Sequence, residues 1–328
     1  MHALVTGGGG FLGKKIVEML VARGDSVTML ARSEYPDLKA LGVKTLQLDI
    51  TNPSGLVDAC TGIDVVFHVA ALAGVWGDRE KYFSINVNGT RNMLDAAKKA
   101  GVKKFVYTSS PSAVWSGKDK ENVTEEDCPY PTHFLTDYPE SKAVAEQLAL
   151  AANCPEMAVC ALRPHLIWGP GDPHLIPRIL DRYDRLRIIG DGKTKVGICY
   201  VDNAAHAHIL AADKLEIGSA HAGKAYFVTD IEPIVLWEWL NVVLERLGKK
   251  PITRKIPASL AYSVGVIMEF IWKTFGIQGE PFMTRFVARQ LSSSHYYNLQ
   301  NAVQDFGYHE LVDPKEGFER MISYFQQK

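Results

Sequence analysis

The chain has 328 residues, of which 47% are hydrophobic and 22% are charged, an ordinary composition for a globular protein with one large or two smaller cores. Its 36 lysines and arginines nearly balance 37 aspartates and glutamates, which excludes a bulk charge that could hold nucleic acid or an anionic membrane. The five cysteines are scattered and predict reduced thiols in a cytoplasmic compartment. A strand directly after Met1 is expected to leave no room for a signal peptide.

The first predicted element is a strand that runs into a glycine-rich turn. The apolar residues from His2 to Thr6 indicate a short buried strand, and the apolar spacing after residue 14 indicates a helix. Gly7 permits a tight turn, Gly10 lets backbone amides approach a pyrophosphate, and Gly13 lets the helix pack on the strand. The N-terminus of that helix would face the phosphate charge. The turn therefore predicts a dinucleotide-binding βαβ unit.

Strands and helices continue to alternate through the first half of the chain. Strands are predicted at 2–6, 26–30, 43–48, 64–71, 103–110 and 159–164, and helices at 14–23, about 82–100 and around 138–142. This order predicts an α/β fold, a Rossmann-type doubly wound parallel sheet with ligands beyond the carboxyl ends of the strands. Residues 1–165 form the predicted dinucleotide-binding domain, with returning segments near 196–230. Residues 166–195 and 231–328 form most of a smaller substrate-binding region.

A tyrosine and a lysine lie four residues apart on one predicted helix. Tyr138 and Lys142 therefore share one helix face. A free tyrosine has a pKa of about 10, and we expect the Lys142 ammonium to lower the pKa of Tyr138. Tyr138 can then exchange a proton with an alcohol or carbonyl while a nicotinamide exchanges hydride, and Ser110, at a strand end, can hydrogen-bond the same oxygen. Together with the dinucleotide turn, this set predicts redox chemistry on a carbon–oxygen bond.

Several motifs along the chain match one enzyme family. They are Thr6-Gly7-x-x-Gly10-x-x-Gly13, Asp49-Ile50, Ala70-Ala71, Asn86, Tyr107 to Ser110, Tyr138-x-x-x-Lys142 and Arg163-Pro164. Together they resemble the extended short-chain dehydrogenase/reductase family. The run from Ala161 to Pro173 is similar to the 3β-hydroxysteroid dehydrogenase branch, especially sterol-4-alpha-carboxylate 3-dehydrogenases, and also to bacterial 2-alkyl-3-oxoalkanoate reductases.

The resemblance implies roles for particular residues. Ser110, Tyr138 and Lys142 would be catalytic, with Lys142 also touching the nicotinamide ribose, and Asn86 is a looser candidate for the same set. The cofactor would lie against Gly7, Gly10, Phe11, Leu12, Gly13, Asp49, Ile50, Ala70, Ala71, Tyr138, Lys142 and Pro164.

The resemblance also implies a substrate class. The substrate would be a bulky apolar molecule, a sterol or a long-chain acid, whose 3-hydroxy and 3-keto forms interconvert. A carboxylate beside the reacting carbon needs a cationic or amide-rich receptor. Arg163, His165 and Arg178 are open candidates for that receptor.

Cofactor choice depends on the end of the second predicted strand. An acidic residue there would bond the adenosine ribose and repel a 2′-phosphate, but the run here is Ala31-Arg32-Ser33. Arg32 favours a 2′-phosphate and hence NADP, while Glu34 nearby leaves NAD open. No metal site is expected, because His206 and His208 would face apart on a helix and no other cluster has ligand spacing.

The segment 256–277 is unusually apolar. Leu260, Val264, Ile267, Ile271 and Phe275 follow helical spacing, although the uninterrupted apolar part is shorter than the roughly 20 residues that a membrane-spanning helix needs. We expect a buried helix of the substrate-binding region. The alternative is an exposed helix at the substrate mouth that docks on a membrane or a partner. The protein is otherwise expected to be a cytoplasmic homodimer, at most peripheral to a membrane, without a nucleic-acid partner.

The sequence is compatible with three candidate functions. The first is an NADP-linked dehydrogenase or reductase for a bulky apolar 3-hydroxy or 3-keto substrate. The second is a nucleotide-sugar epimerase or dehydratase, which uses the same fold and the same Tyr–Lys pair but needs a diphosphate-binding second domain. The apolar segment 256–277 argues against a second domain that binds a diphosphate. The third is a non-catalytic dinucleotide sensor, and the intact set of Ser110, Tyr138 and Lys142 argues against it.

Overall fold

Seven parallel strands form the central sheet of the computed structural model, which describes residues 1–327. The strands are β1 (His2–Thr6), β2 (Ser26–Ala31), β3 (Lys44–Gln47), β4 (Val65–His68), β5 (Lys104–Thr108), β6 (Ala158–Pro164) and β7 (Ala225–Val228). Their spatial order is β3-β2-β1-β4-β5-β6-β7, and each neighbouring pair is parallel. The direction of winding reverses between β1 and β4, so a crevice opens beyond their carboxyl ends. The predicted doubly wound sheet is confirmed.

Alternate residues of each central strand point to opposite faces of this sheet. In β1, Ala3 and Val5 join one buried apolar cluster, whereas Leu4 joins another. Helices cover both faces because a parallel sheet of apolar strands must be shielded from water on each side. The helices of the first half are Phe11–Ala22, Pro36–Ala40, Leu56–Cys60, Arg79–Tyr82, Phe83–Asn88 with π-helical geometry, Gly89–Lys99, a 3-10 turn at Pro111–Val114 and Asp137–Ala151.

The second half of the chain contributes to the central sheet and also builds a separate core. Strand β7 pairs with β6, and helix Val201–Lys214 packs on helix Phe11–Ala22. The separate core contains Trp168, Trp237 and Met321. The remaining helices are Leu175–Arg182, Leu236–Arg246, Ala258–Phe275, Arg285–Gln290, Gln300–Phe306 and Pro314–Gln326. Short strands at Ile234–Val235, Lys195–Val196, His295–Tyr297 and Lys120–Val123 form a second sheet, and two further pairs are Ile167–Trp168 with Cys199–Tyr200 and Ile188–Ile189 with Lys255–Ile256.

Helix Ala258–Phe275 packs through a narrow face and leaves most of its apolar side chains exposed. Ala261, Gly265 and Glu269 are its buried residues. They follow the four-residue spacing of one helix face and pack on the segment that begins with Arg285, whose backbone amide and guanidinium both donate to Glu269 at 2.7 Å. The expectation of a buried helix is therefore wrong.

The solvent side of this helix carries a continuous apolar surface. Its exposed members are Leu260, Val264, Val266, Ile267, Phe270 and Phe275, with Ile277 just beyond. In the described part of the chain, no helix combines the length and apolarity that crossing a bilayer requires. Docking of this surface on a membrane or a partner stays a prediction.

We predict that Gly265→Ala destabilises the protein. A Cβ at this position would lie 2.7 Å from the backbone nitrogen of Arg285 and the carbonyl carbon of Thr284. Alanine should improve helix propensity by about 1 kcal/mol, but the overlap with backbone should dominate and lower the free energy of unfolding by about 1–3 kcal/mol. Phe270→Ser is the control, because Phe270 is 68% exposed and its loss should change that free energy by about 0.5 kcal/mol or less. Urea unfolding measures both, and a Gly265→Ala protein as stable as the wild type would contradict the close approach.

Candidate active site

The glycine turn lies in the crevice between β1 and β4 and holds backbone atoms very close together. Gly7 has a φ of +68°, and a Cβ there would lie 2.8 Å from Ala70 Cα. A Cβ at Gly13 would lie 2.2 Å from the Gly7 carbonyl oxygen, whereas a Cβ at Gly10 would meet only that oxygen, at 3.3 Å. Helix Phe11–Ala22 starts directly after the turn and has no acidic residue in its first turn. The open space over Gly10 and the uncompensated helix N-terminus fit the pyrophosphate of a dinucleotide.

A single cavity of about 640 Å³ extends from this turn into the second half of the chain. The proposed catalytic residues Ser110, Tyr138 and Lys142 line it. The predicted cofactor-binding residues that line it are Gly7, Gly10, Phe11, Leu12, Gly13, Ala70, Ala71 and Pro164. Arg32, Asp49, Ile50 and Asn86 were predicted for the same site but lie outside the cavity lining.

Arg32, Asp49 and Ile50 lie at the ends of β2 and β3. Arg32 is exposed. The pKa of Asp49 is lowered, first by a hydrogen bond from the backbone amide of Thr51 and further by the charge of Arg32. Ile50 is buried under helix Gly89–Lys99, where a Cβ at Gly89 would overlap its side chain. Arg32 and Asp49 are thus close together and open to solvent, where the adenosine end of a dinucleotide would reach.

Ser110 is oriented by its neighbour Ser112. The Ser110 hydroxyl oxygen accepts hydrogen bonds from the backbone amide of Ser112 at 3.2 Å and from the Ser112 hydroxyl at 2.9 Å. Because both lone pairs are used, the hydrogen of Ser110 is left to donate to a neighbouring oxygen. Sequence reasoning missed Ser112, although a serine two residues after a strand-end serine is a recognisable turn pattern.

Tyr138 lines the cavity and is held as a neutral phenol. Burial raises its pKa, and the opposing influence is a hydrogen bond from Ser110. The predicted lowering by Lys142 is not seen, because the Lys142 ammonium donates instead to the Thr108 carbonyl at 2.6 Å. Tyr138 therefore carries a proton that it can donate at neutral pH.

Lys142 is almost fully buried between β5 and the helix that carries it. Its Nζ lies 4.5 Å from the centroid of the Tyr107 ring. Burial lowers its pKa to about 7, and the charge of Glu146 opposes that shift. A group with this pKa is half protonated at neutral pH, which makes its charge sensitive to small changes around it.

Glu146 extends the Tyr138–Lys142 spacing by one more turn and is fully buried. Arg163 binds it with two hydrogen bonds, at 2.9 and 2.7 Å, and the Tyr130 hydroxyl donates to it at 2.6 Å. These bonds and the Arg163 charge lower the pKa of Glu146 despite its burial, so the carboxylate stays ionised. Arg163 is consequently engaged behind the site and does not line the cavity. The sequence analysis did not identify Glu146. The available signal was its position, because it is the third polar residue at four-residue spacing on one helix, after Tyr138 and Lys142.

Asn86 joins the glycine-rich side of the site to the catalytic helix. Its side-chain amide donates to the Leu72 carbonyl at 3.0 Å and to the Ser141 hydroxyl at 2.9 Å, and its oxygen accepts from the Leu72 amide at 2.7 Å. Ser141 in turn donates to the Tyr138 carbonyl. Asn86 sits in the π-helical segment Phe83–Asn88, a geometry often found at functional sites. It positions the helix of Tyr138 rather than facing a ligand.

Two buried imidazoles form the far wall of the cavity. The ring centroids of His165 and His295 are 4.9 Å apart. The Nδ1 of His165 contacts the Gly197 carbonyl, and that of His295 contacts the Ser293 carbonyl. Burial lowers the pKa of His295 to about 4 and that of His165 well below its usual range. Both rings are neutral at pH 7, so His165 is no cationic receptor for a carboxylate.

The rest of the cavity wall is mainly apolar. It includes Trp115, Ile179, Leu186, Leu236, Trp237, Leu240, Phe282, Met283, Phe286, Val287 and Leu291. Arg178 also lines it, whereas no residue of helix Ala258–Phe275 does. Within residues 1–327, no group of three histidine, cysteine or carboxylate side chains could hold a metal ion. The cavity therefore joins the glycine turn and the side chains of Ser110, Tyr138 and Lys142 to a large apolar chamber.

Comparison with known proteins finds relatives along the whole chain. The model of the 3-beta hydroxysteroid dehydrogenase/isomerase family matches residues 4–258. The chain is 47% identical to a 2-alkyl-3-oxoalkanoate reductase of Shewanella oneidensis, over 98% of this chain and 85% of that protein. It is 34% identical to a decarboxylating sterol-4-alpha-carboxylate 3-dehydrogenase of Mus musculus, over 98% and 90% of the two proteins.

Solved structures share the fold over the full length. The crystal structure of gox2253 is 28% identical, with a TM-score of 0.80 over 99% of this chain and 98% of that chain. A complex of MoeE5 with UDP-glucuronic acid and NAD is 25% identical, with a TM-score of 0.75 over 100% and 99%. The fold of this chain is therefore shared over its full length by these two solved structures.

We predict that Glu146→Gln shifts the pH dependence of cofactor binding to lower pH. The negative charge of Glu146 favours the Lys142 cation, and its removal should lower the pKa of Lys142 further. Since that cation exists below its pKa and is lost as pH rises through it, cofactor affinity should fall at a lower pH in the variant than in the wild type. Fluorescence titration with reduced nicotinamide cofactors between pH 5.5 and 8.5 measures this.

The matched control is Tyr130→Phe, which removes one hydrogen bond to Glu146 but keeps the charge. Its pH profile should coincide with that of the wild type. A folded Glu146→Gln protein with an unshifted profile would show that Glu146 does not act on Lys142.

Proposed function

Because this chain belongs to the 3-beta hydroxysteroid dehydrogenase/isomerase family and is a nicotinamide-dependent dehydrogenase/reductase of hydroxyl and keto groups, we propose that it reduces a bulky apolar 3-keto acid. The observation that carries this proposal is the cavity itself. One end contains Ser110, Tyr138 and Lys142, and the remaining wall is mainly apolar. Relatives named 2-alkyl-3-oxoalkanoate reductase, at 47% and 43% identity, support an acyl substrate over a sterol.

The size and lining of the cavity support long alkyl groups. The volume of about 640 Å³ includes the space beside the glycine turn where the cofactor would lie, and it is within the range of sites that enclose whole small molecules. Each methylene that leaves water contributes about 0.8 kcal/mol to binding. Affinity should therefore rise with chain length until the chamber is full. The alkyl groups would lie along Leu240 and Phe286, away from the glycine turn.

The geometry of the catalytic residues supports proton donation to a carbonyl. When bound, a nicotinamide supplies the hydride. Tyr138, a neutral phenol in this site, donates its proton to the oxygen as the hydroxyl forms. Ser110, whose lone pairs are occupied by Ser112, donates a hydrogen bond to the same oxygen and stabilises its developing charge. Lys142 would bind the nicotinamide ribose, and a proton from water would restore the Tyr138 phenol after the reaction.

The second strand supports NADP as the cofactor. Arg32 is exposed at the end of β2, and the described residues provide no ion pair within bonding distance of its guanidinium. It can therefore turn to an adenosine 2′-phosphate without first breaking a hydrogen-bonded ion pair. The negative charge of Asp49 nearby would also help to hold the arginine at this position.

The alternative is a nucleotide-sugar epimerase or dehydratase. The similar architecture of MoeE5, which binds UDP-glucuronic acid and NAD, favours it. The apolar wall opposes it, because sugar hydroxyls and a uracil need hydrogen-bonding partners that such a wall does not provide. A panel of 2-alkyl-3-keto acids, sterol ketones and UDP-sugars, followed by nicotinamide absorbance, decides between the two.

We predict that Tyr138→Phe abolishes nearly all turnover and leaves cofactor affinity unchanged. The variant loses only the proton donor, and general acid catalysis contributes about 10²–10⁴-fold to rates. Tyr262→Phe is the matched control, because Tyr262 lies on helix Ala258–Phe275 and does not line the cavity. Single-turnover kinetics and cofactor titration measure both. Turnover by Tyr138→Phe at the rate of the Tyr262→Phe control would refute the mechanism.

We predict that Arg32→Ala weakens NADPH binding and leaves NADH binding almost unchanged. The loss of a charge-assisted bond worth about 1.5–3 kcal/mol corresponds to about tenfold to a hundredfold in affinity. Titration of both cofactors against both proteins measures it. Equal losses for the two cofactors, or a wild-type preference for NADH, would contradict the assignment of NADP.

A further inference from the structure

One face of a short helix brings two arginines to the wall of the apolar cavity. Helix Leu175–Arg182 directs Leu175, Arg178, Ile179 and Arg182 at the cavity, and these positions share one helix face. Arg178 and Arg182 are one turn apart, where like charges repel. Apart from Lys142, no other lysine or arginine of residues 1–327 lines the cavity. Two cations on a largely apolar wall indicate an anionic group in the ligand.

The helix that carries these arginines is held firmly at its start. Asp172 is buried, and its carboxylate accepts hydrogen bonds from the backbone amides of His174, Leu175 and Ile176 at 2.8, 3.1 and 2.8 Å. A carboxylate at this position also stabilises the helix electrostatically. The Gly169-Pro170-Gly171-Asp172 run thus fixes the start of the helix that carries the arginines.

A carboxylate of the protein already lies against one of these arginines. Arg178 Nη2 donates to Glu280 Oε2 at 2.8 Å, and Glu280 itself lines the cavity. The Arg182 guanidinium forms no hydrogen bond or ion pair with residues 1–327, and its carbon lies 5.7 Å from the centroid of the Phe282 ring. Glu280 therefore occupies one half of a two-arginine site and marks where a ligand carboxylate would bind.

Tyr82 links this corner of the cavity to the catalytic tyrosine. Its ring lies next to that of Tyr138. Burial raises the pKa of Tyr82 to about 12, and the groups that act on it electrostatically include Tyr138, Glu280 and Arg178. Tyr138, Arg178 and Glu280 all line the same cavity. A 3-keto acid carries its carboxylate two bonds from the reacting carbon, so its receptor has to lie near Tyr138.

We propose that Arg178, with Arg182 beside it, binds the carboxylate of the apolar 3-keto or 3-hydroxy acid, and that Glu280 holds Arg178 when no acid is bound. This inference rests on the proposed function and deepens it. With the carboxylate at Arg178, the 3-oxygen faces Tyr138 and the alkyl groups run along Leu240 and Phe286. A nucleoside diphosphate would meet the same arginines, but the apolar wall beside them favours the acid.

Binding of a non-reacting acid tests the site apart from the chemistry. The probe is 2-butyloctanoic acid, which has the branched alkyl groups and the carboxylate but no 3-oxygen, and its comparison ligand is 2-butyloctan-1-ol. Calorimetry is performed on the full chain saturated with oxidised cofactor, for wild type, Arg178→Gln, Arg182→Gln and Glu280→Gln. Arg185→Gln is the matched control, because Arg185 is exposed just beyond the same helix and does not line the cavity.

We expect Arg178→Gln to lower the affinity for the acid by about tenfold to a hundredfold. The affinity for the alcohol should fall by less than twofold. Arg182→Gln should lower the affinity for the acid by a smaller factor. Arg178→Lys, measured in the same way, should bind the acid more tightly than Arg178→Gln does. Glu280→Gln should raise the affinity for the acid, because it removes the carboxylate that competes for Arg178. Arg185→Gln should bind both ligands as the wild type does.

Equal losses for acid and alcohol in Arg178→Gln would overturn the proposal, because the arginine would then only support the wall. Unchanged acid binding would overturn it too, as would binding of UDP that depends on Arg178 when binding of the acid does not. A third outcome separates the site from the reaction. If Arg178→Gln selectively loses binding of the acid but the wild type turns over no 3-keto acid, the carboxylate site is supported and the proposed reductase reaction is refuted.

Discussion

The burial of one lysine constrains most of this active site. Lys142 lies where a cation is poorly solvated, and burial lowers its pKa to about 7. Two features offset that cost: the carbonyl of Thr108 at the end of β5, and the buried carboxylate of Glu146 one turn along the helix. Both require helix Asp137–Ala151 to lie against the carboxyl end of β5. Tyr138, on the same helix face, is thereby placed at the cavity.

The supporting residues behind the site act on that helix from two sides. Arg163 and Tyr130 bind Glu146 from β6 and the preceding loop. From the other side, Asn86 binds Ser141 and ties the helix to the chain that follows β4. A further polar chain continues through Thr90, which donates to the Asn86 carbonyl, and His68, whose two nitrogens contact Thr90 and Thr6. Hydrogen-bonded residues thus run from Thr6, just before the glycine turn, to the helix of Tyr138, and such a network holds the two parts in a fixed relation.

The apolar part of the cavity is built differently from the hydrogen-bonded residues around Tyr138 and Lys142. Its walls come from several short elements of the second half, and MoeE5, which shares the fold, is solved with UDP-glucuronic acid and NAD. Specificity therefore depends on which side chains line the chamber rather than on the fold. In this chain, helix Leu175–Arg182 contributes two cations, and segment 280–291 contributes most of the apolar wall together with Leu236, Trp237 and Leu240. Helix Ala258–Phe275 supports that segment through Glu269 and Arg285 and leaves its own apolar side chains in solvent.

The sequence by itself determined the sheet, the dinucleotide turn and the Tyr138–Lys142 pair. These features follow from local periodicity and from contacts a few residues apart, so the pattern of glycine, apolar and polar residues is enough to predict them. Ser110 was predicted for the same reason, because a strand end is a local feature. The sequence showed that residues 169–172 match the family pattern. It did not show that Asp172 binds the backbone amides at the start of helix Leu175–Arg182.

Only the tertiary structure decided which candidates meet. Arg163, His165 and Arg178 were equivalent in the sequence, yet Arg163 is bound by Glu146, His165 is buried and neutral, and Arg178 faces the cavity beside Glu280. Helix Ala258–Phe275 was expected to be buried, because hydrophobic spacing reports that a helix has an apolar face but not whether another element covers it. The pKa of Tyr138 likewise depended on where the Lys142 ammonium points. Charge partners, burial and side-chain direction are set by contacts between residues far apart in the chain, and no local pattern encodes them.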